Sequence, residues 1–184
     1  MDFEKAVHAR KSVRKFSHKK VDWRDVIECV DAARYIPLAG KNFTMKFIII
    51  KNKDKIQKIA DAAEQSFITE APYVVAVFSD KSRLTNMFDS RGERYSLQQA
   101  GAAIQTILLS AVDHGLSACW VGHYDDKAIK TLLKIPDKAD LEAVIPIGYE
   151  YKKEKPREKI NMDRILFFEE NKNKKMHAPY SPET

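Results

Sequence analysis

Hydrophobic and polar positions along the chain fall into blocks of helical and extended period, and the most apolar block lies near the middle. Between Ala100 and Val112 only Gln105, Thr106 and Ser110 carry polar side chains, and none of them is charged. A helix apolar on nearly every face has to be buried, so the 97–122 stretch is predicted to begin with a core helix. It does not fit a bilayer span, which needs about 20 apolar residues, because charged or polar groups flank the run closely. Ala100, Gly101, Ala102 and Ala103 leave the backbone unshielded, so a second helix, the same helix of another subunit or a flat ligand can approach. Gly115, after Asp113 and His114, is placed as the helix stop. Residues 118–122 read as a short buried strand leaving at Gly122, where backbone N–H groups can come close to a ligand.

The flanking blocks are shorter. Residues 2–8 predict a helix capped by Asp2, with Phe3, Ala6 and Val7 on one face. A second helix, capped by Asp22, runs to Arg34 with Val26, Ile27, Val30 and Ala33 inward, and Pro37 stops it. The 37–42 loop leads to a strand at 45–51, then a helix at 54–67 capped by Asp54, with Ile56, Ile59, Ala62 and Ala63 inward. Residues 71–78 are continuously apolar, the mark of a strand buried on both faces. The polar, irregular stretch 79–93 is expected to be a mobile lid or excursion. A helix at 125–133 precedes a strand at 141–148, in which Pro146 predicts an edge position or a bulge. Beyond the charged connector 152–159, Phe167 and Phe168 are expected to dock on a partner subunit, and the tail from about residue 170 to 184 is expected to be loose.

Composition narrows the picture. The 184 residues form one domain, 1–184, since two well-buried ones would be cramped in this length. The net charge of +6 comes from lysines spread along the whole sequence. Without aromatic-and-basic strands or a clear recognition helix, it ranks a nucleic-acid module low. Cys29 and Cys119 are the only cysteines and form no C-x-x-C pair, which argues against a disulfide framework and a zinc site. His8, His18, His114 and His177 have no metal-ligand spacing, so no metal is assigned. The N-terminus has no apolar run that could serve as a signal-peptide core, so a cytoplasmic location is expected, with no membrane partner.

Candidate chemistry concentrates at residues 10–16. In an extended segment Arg10, Ser12 and Arg14 share one side, while Lys11, Val13 and Lys15 share the other. Two planar guanidiniums and a hydroxyl facing one target suit phosphate or carbonyl oxygens. The plain alternative is a solvated basic linker. Elsewhere, Cys119 reads as a small buried hydrophobe, with redox chemistry the alternative. Trp120 is either a core anchor or a ligand contact, His123 a surface histidine or a proton donor, and Lys41 an exposed loop residue or a charge over a pocket.

Four pieces in order, Arg10-Lys11-Ser12-Val13-Arg14, Ile36-Pro37-Leu38-Ala39-Gly40, the 115–122 run ending in Trp120-Val121-Gly122, and Ile145-Pro146-Ile147-Gly148-Tyr149, resemble the FMN-dependent nitroreductase family over nearly the whole chain. The resemblance implies an α+β fold with a central mixed or antiparallel sheet flanked by helices, and an intertwined homodimer with an FMN in each of two interface pockets. It implies that Arg10 and Ser12, with Lys11 between them, hold the FMN phosphate end, joined by Lys159. Arg14 would lie near the pyrimidine edge of the isoalloxazine, where a positive charge raises the reduction potential. Backbone around Val121 and Gly122 would lie near the flavin, and Pro37, Leu38, Ala39 and Asn42 would come from the other subunit. That loop departs from the family pattern, with Leu38 in place of a serine and Lys41 in place of an asparagine. The activity implied is ping-pong transfer of hydride from NAD(P)H through flavin N5 to a quinone, nitroaromatic or similar acceptor. No catalytic side chain is demanded, in keeping with the lack of any Ser-His-Asp or Cys-His set. The alternative is a flavin-binding storage or sensor protein without turnover.

Overall fold

A four-stranded antiparallel sheet in the order β1-β2-β4-β3 forms the middle layer of the computed structural model, which describes residues 2–154 and 158–176. The strands are β1 (Met45–Ile50), β2 (Tyr73–Ser79), β3 (Ser117–Ala118) and β4 (Asp140–Gly148). The helices are α1 (Phe3–Ala9), α2 (Trp23–Asp31), α3 (Lys53–Ala62), α4 (Ser82–Phe88), α5 (Ser90–Asp113) and α6 (Asp126–Leu133).

Strand β2 shows why the sequence is apolar without alternation. Val75 and Val77 pack into one cluster with α2 and α5, including Val26, Ala103, Ile104 and Ile107. Val74, Ala76 and Phe78 pack into the opposite cluster with α3 and α6, including Ile56, Ile59 and Ile129. Successive side chains alternate between faces, so covering both faces requires every position to be apolar, here in an antiparallel sheet. The clusters give the three layers of an α+β sandwich.

Several boundaries differ from the sequence expectations. Helix α3 is capped by Asn52, whose side chain accepts the Lys55 N–H at 2.9 Å, and Asp54 sits in the first turn instead. It ends at Ala62 because Glu64 turns into the left-handed region (φ 52°) and Gln65 donates back to the Ala60 carbonyl at 3.0 Å. In α2, Val26 and Cys29 are buried, but Ile27 faces outward and is 44% exposed. In α1 only Ala6 is buried, and Phe3 and Val7 are exposed.

The 79–93 stretch is helical. It holds α4 and the first turn of α5, joined at Asp89. The Asp80 carboxylate anchors the start of α4 through the Ser82 N–H and hydroxyl, Leu84 is fully buried, and Phe88 meets Tyr95 edge-on at 5.2 Å. Lys81 ties the turn to Glu93 and to Asp140 at the start of β4. These contacts give the expected excursion a regular, helical form.

The long α5 is covered on one side only. Ala100, Ala103, Ile104, Ile107, Leu108 and Ala111 are buried, whereas Leu97 is 56% exposed and Gly101, Ala102 and Leu109 are partly open. The helix ends as expected. Gly115 takes φ 70°, and the Gly115 and Leu116 N–H groups donate to Val112 and Ala111, a glycine-stopped Schellman arrangement.

The 118–122 segment is strand only at Ser117–Ala118, with one further bridge between Val121 and Val144. Pro146 occupies an interior strand, not an edge. A bulge does occur in β4, at Glu142, between the Val77–Ala143 and Phe78–Leu141 pairs. The Pro146 carbonyl accepts the Cys119 N–H at 3.3 Å. Since a residue's N–H and C=O point to the same side of a strand, the missing donor faces this irregular edge.

Candidate functional site

The 12–17 segment is laid along the sheet by main-chain bonds, which explains how its side chains are presented. Ser12 bridges to Ala118, and Val13 N–H donates to the Ala118 carbonyl at 3.1 Å. Farther along, Phe16 bridges to Glu150, Ser17 N–H donates to Tyr149 at 2.8 Å and Tyr151 N–H to Lys15 at 3.0 Å. Val13 and Phe16, both nearly fully buried, anchor it from below with Ala71. Gly148 allows this crossing, because a Cβ there would stand 2.7 Å from Pro72 Cδ and 3.1 Å from Phe16 Cδ1.

Arg10, Lys11, Ser12, Arg14 and Lys159 line one cleft of about 410 Å³, together with Lys15, Glu150, Tyr151, Lys152 and Glu154. Six cations therefore face two carboxylates. Lys11 takes up one of these, its ammonium 2.6 Å from Glu150, and also donates to the Glu154 carbonyl. Arg10, Arg14 and Lys159 have no carboxylate partner among the described residues. The Arg14 guanidinium lies 5.9 Å from the Phe67 ring centre. Unneutralised guanidiniums, a hydroxyl and a late lysine around one space fit a phosphate-bearing group.

The remaining expected residues are elsewhere. Val121 is buried and Gly122 exposed, on the edge that continues past Ala118, and neither lines the cleft. Space above Gly122 is open, with Trp120 Nε1 the nearest atom, 3.8 Å from where a Cβ would be. Pro37, Leu38, Ala39 and Asn42 precede β1 at the opposite end of the sheet from Gly148. There the loop packs on α4, with the Asn42 amide donating to the Gly40 carbonyl at 2.9 Å and lying 3.8 Å from Met87 Sδ. One chain does not bring this loop to its own cleft.

Cys119 is buried beside Ser12. Burial pushes its thiol up, against the pull of Arg14, Ser12 and Arg10, so the protonated form is favoured. Burial likewise pushes Cys29 up to about 12. Trp120 is 42% exposed, and His123 is exposed, its carbonyl accepting the Gln65 amide at 3.5 Å. His177 and part of the connector, 155–157, lie outside the described residues. Among the described residues no group of His, Cys, Asp and Glu is arranged to hold a metal ion, and no helix is long and apolar enough to cross a membrane.

Sequence reasoning misses Lys15, Glu150, Tyr151, Lys152 and Glu154 as cleft residues. Lys152 and Glu154 look like part of a charged connector, and Lys15 like a residue on the far side of its segment, until the Phe16–Glu150 bridge brings the two segments together. The Gly148-Tyr149 pair is the available signal.

Comparison with known proteins gives the same architecture a family. A curated relative from Methanothermobacter thermautotrophicus, named "Putative NADH dehydrogenase/NAD(P)H nitroreductase", is 29% identical over 170 residues, covering 90% of this chain and 86% of its own. An iodotyrosine deiodinase from Thermotoga neapolitana is 24% identical over 166 residues, covering 76% and 84%. An FMN-dependent nitroreductase from Clostridium difficile superimposes with a TM-score of 0.78 at 23% identity, covering 90% of this chain and 98% of that one. The sequence profile of the nitroreductase family matches residues 7–149, and with the sheet, the helices and the cleft in place, the chain belongs to the nitroreductase family.

Proposed function

We propose that the protein is an FMN-dependent oxidoreductase that uses NAD(P)H to reduce a quinone, nitroaromatic or similar acceptor. The observation that carries this reading is the convergence of Arg10, Ser12 and Arg14, near the start of the sequence, with Lys159, near its end, on a single cation-rich cleft.

In this reading Arg10, Ser12 and Lys159 hold the FMN phosphate. Arg14 sets a positive charge near the ring, where it raises the reduction potential. Lys11, occupied by Glu150, braces the cleft wall instead of donating to the cofactor. Bound FMN supplies hydride and electron transfer between NAD(P)H and the acceptor. Reductant and acceptor use one place in turn, which gives ping-pong kinetics.

The same reading makes the protein a homodimer. Trp23, Ile27, Tyr35 and Leu97 are each more than 40% exposed in the single chain, as are Ile160, Met162, Ile165 and Leu166. The second copy covers these residues and contributes its Pro37–Asn42 loop to the cleft.

The test is visible absorption of the purified protein, release and identification of the chromophore, the size in solution, and NAD(P)H oxidation with menadione. A yellow dimer with one FMN per chain and menadione-dependent turnover is expected. A colourless single chain that takes up no FMN overturns the assignment, and tight flavin without turnover moves it to storage or sensing.

A further inference from the structure

A second cavity, of about 620 Å³, opens where the end of β1 and the start of β2 meet the 17–21 segment. Its floor is apolar, with Val21, Ile56, Ala71 and Tyr73 each 5% exposed or less. Its rim carries Lys19, Lys20, Lys51 and Lys53 beside His18, against the single carboxylate of Glu70. That carboxylate is engaged, accepting the Phe16 N–H at 3.0 Å. Lys19 lies 4.0 Å from the centre of the Tyr149 ring. None of the four lysines has an ion-pair partner among the described residues.

Four cations around one concavity repel each other, and low-dielectric walls focus their field on the space between them. Lys53 also opens α3, whose N-terminal end adds to the same positive potential. An anion relieves the repulsion. An apolar floor with a Tyr side chain favours a flat organic body over a bare ion, and the volume lies in the usual range for small-molecule sites.

We propose that this cavity binds a small organic phosphate of the nucleotide class, at a site separate from the Arg10–Arg14 cleft. The two spaces share no lining residue: the cleft takes residues 10–15 and the cavity residues 17–21, with the buried Phe16 between them in the chain. The lysines meet the phosphate groups, and the base lies on the floor.

Isothermal titration of the full chain at low salt tests this with ADP and with pyrophosphate as probes. The natural protein is compared with Lys51→Glu/Lys53→Glu and with Arg10→Glu/Arg14→Glu. ADP affinity should fall at least about tenfold in the lysine variant, for loss of about 1.4 kcal/mol or more, and stay within about twofold in the arginine variant. Lys51→Gln/Lys53→Gln, which keeps these exposed positions polar, should fall between and guards against misfolding. Pyrophosphate should bind more weakly than ADP. No ADP binding, binding indifferent to the lysines, or binding lost only with the arginines overturns the site. Equal affinity for pyrophosphate overturns the role given to the floor.

Discussion

Replacing Gly148 with alanine tests how the packing of the fold sets the geometry of the cleft. The added methyl would lie 2.7 Å from Pro72 Cδ and 3.1 Å from Phe16 Cδ1, where carbon pairs prefer about 3.5–4.0 Å. Pro72 is a stiff ring leading directly into β2, and Phe16 is 3% exposed, so relief requires backbone movement. Over-packing of this kind costs about 1–3 kcal/mol. Any relief that moves Phe16 carries Arg14 and Ser12 with it, because the same short segment is tied by main-chain bonds to Ala118, Tyr149 and Tyr151 and by the Phe16 N–H to Glu70. Misplacement at a binding centre weakens it steeply, and we expect the FMN dissociation constant to rise about tenfold, or about 1.4 kcal/mol. Urea denaturation of the flavin-free chain reads the first effect and flavin fluorescence titration the second. A variant as stable as the natural chain to within about 0.5 kcal/mol refutes the packing argument, whose lower bound is about 1 kcal/mol. Lost stability with unchanged FMN affinity refutes the link from packing to site.

Other expectations follow from single contacts. Arg14→Glu should lower the flavin potential and slow reduction by NAD(P)H, measured by redox titration and stopped flow; unchanged values reject its role. The Ser110 carbonyl and the Glu28 carboxylate hold His114 above its ordinary range. The stabilisation is therefore complete below pH about 6.5, the unfolded value, and is lost as pH rises through the folded value. Glu28→Gln should flatten that slope in a pH series of denaturation curves, by about 0.5 kcal/mol because Glu28 is 64% exposed. Burial pushes the Glu142 carboxyl up, so the unfolded chain ionises first and stability falls as pH rises from about 4.3. Glu142→Gln, which can keep the bond from Ser79, should remove that fall, and an unchanged pH profile would contradict the cause given. Gly115→Ala forces a side chain into φ 70° and should cost about 1 kcal/mol in urea denaturation.

Local signals carry much of the fold. Asp2 and Asp22 each accept a backbone N–H at a helix start, as their positions suggest, and the unbroken apolar run of β2 foretells cover on both faces. What fails depends on distant partners. The 79–93 stretch looks irregular because its anchors, Asp140 and the buried slot around Leu84, belong to other parts of the fold. The outward turn of Ile27 breaks the usual rule for an amphipathic helix, since periodicity reports an apolar face without saying which neighbour covers it. In the cleft, the grouping of Arg10, Ser12 and Arg14 is legible within one short segment, but the expected division into two sides is not kept, since Lys11, Val13 and Lys15 line the same space. Lys152 and Glu154 are not legible, because only the bridge from Phe16 to Glu150 brings their segment alongside.

The separation of the Pro37–Asn42 loop from the cleft, at opposite ends of the same sheet, bears on genetics as well as on structure. If each pocket joins one chain's arginines to the other chain's loop, a subunit crippled at Arg10 and Arg14 still lends a sound loop to its neighbour. Co-expressed with a subunit damaged only in the loop, it would yield hybrids with one wholly intact pocket and one doubly defective. Each hybrid of two inactive alleles would then recover about half the activity of an intact dimer, something no pair of self-sufficient monomers could do.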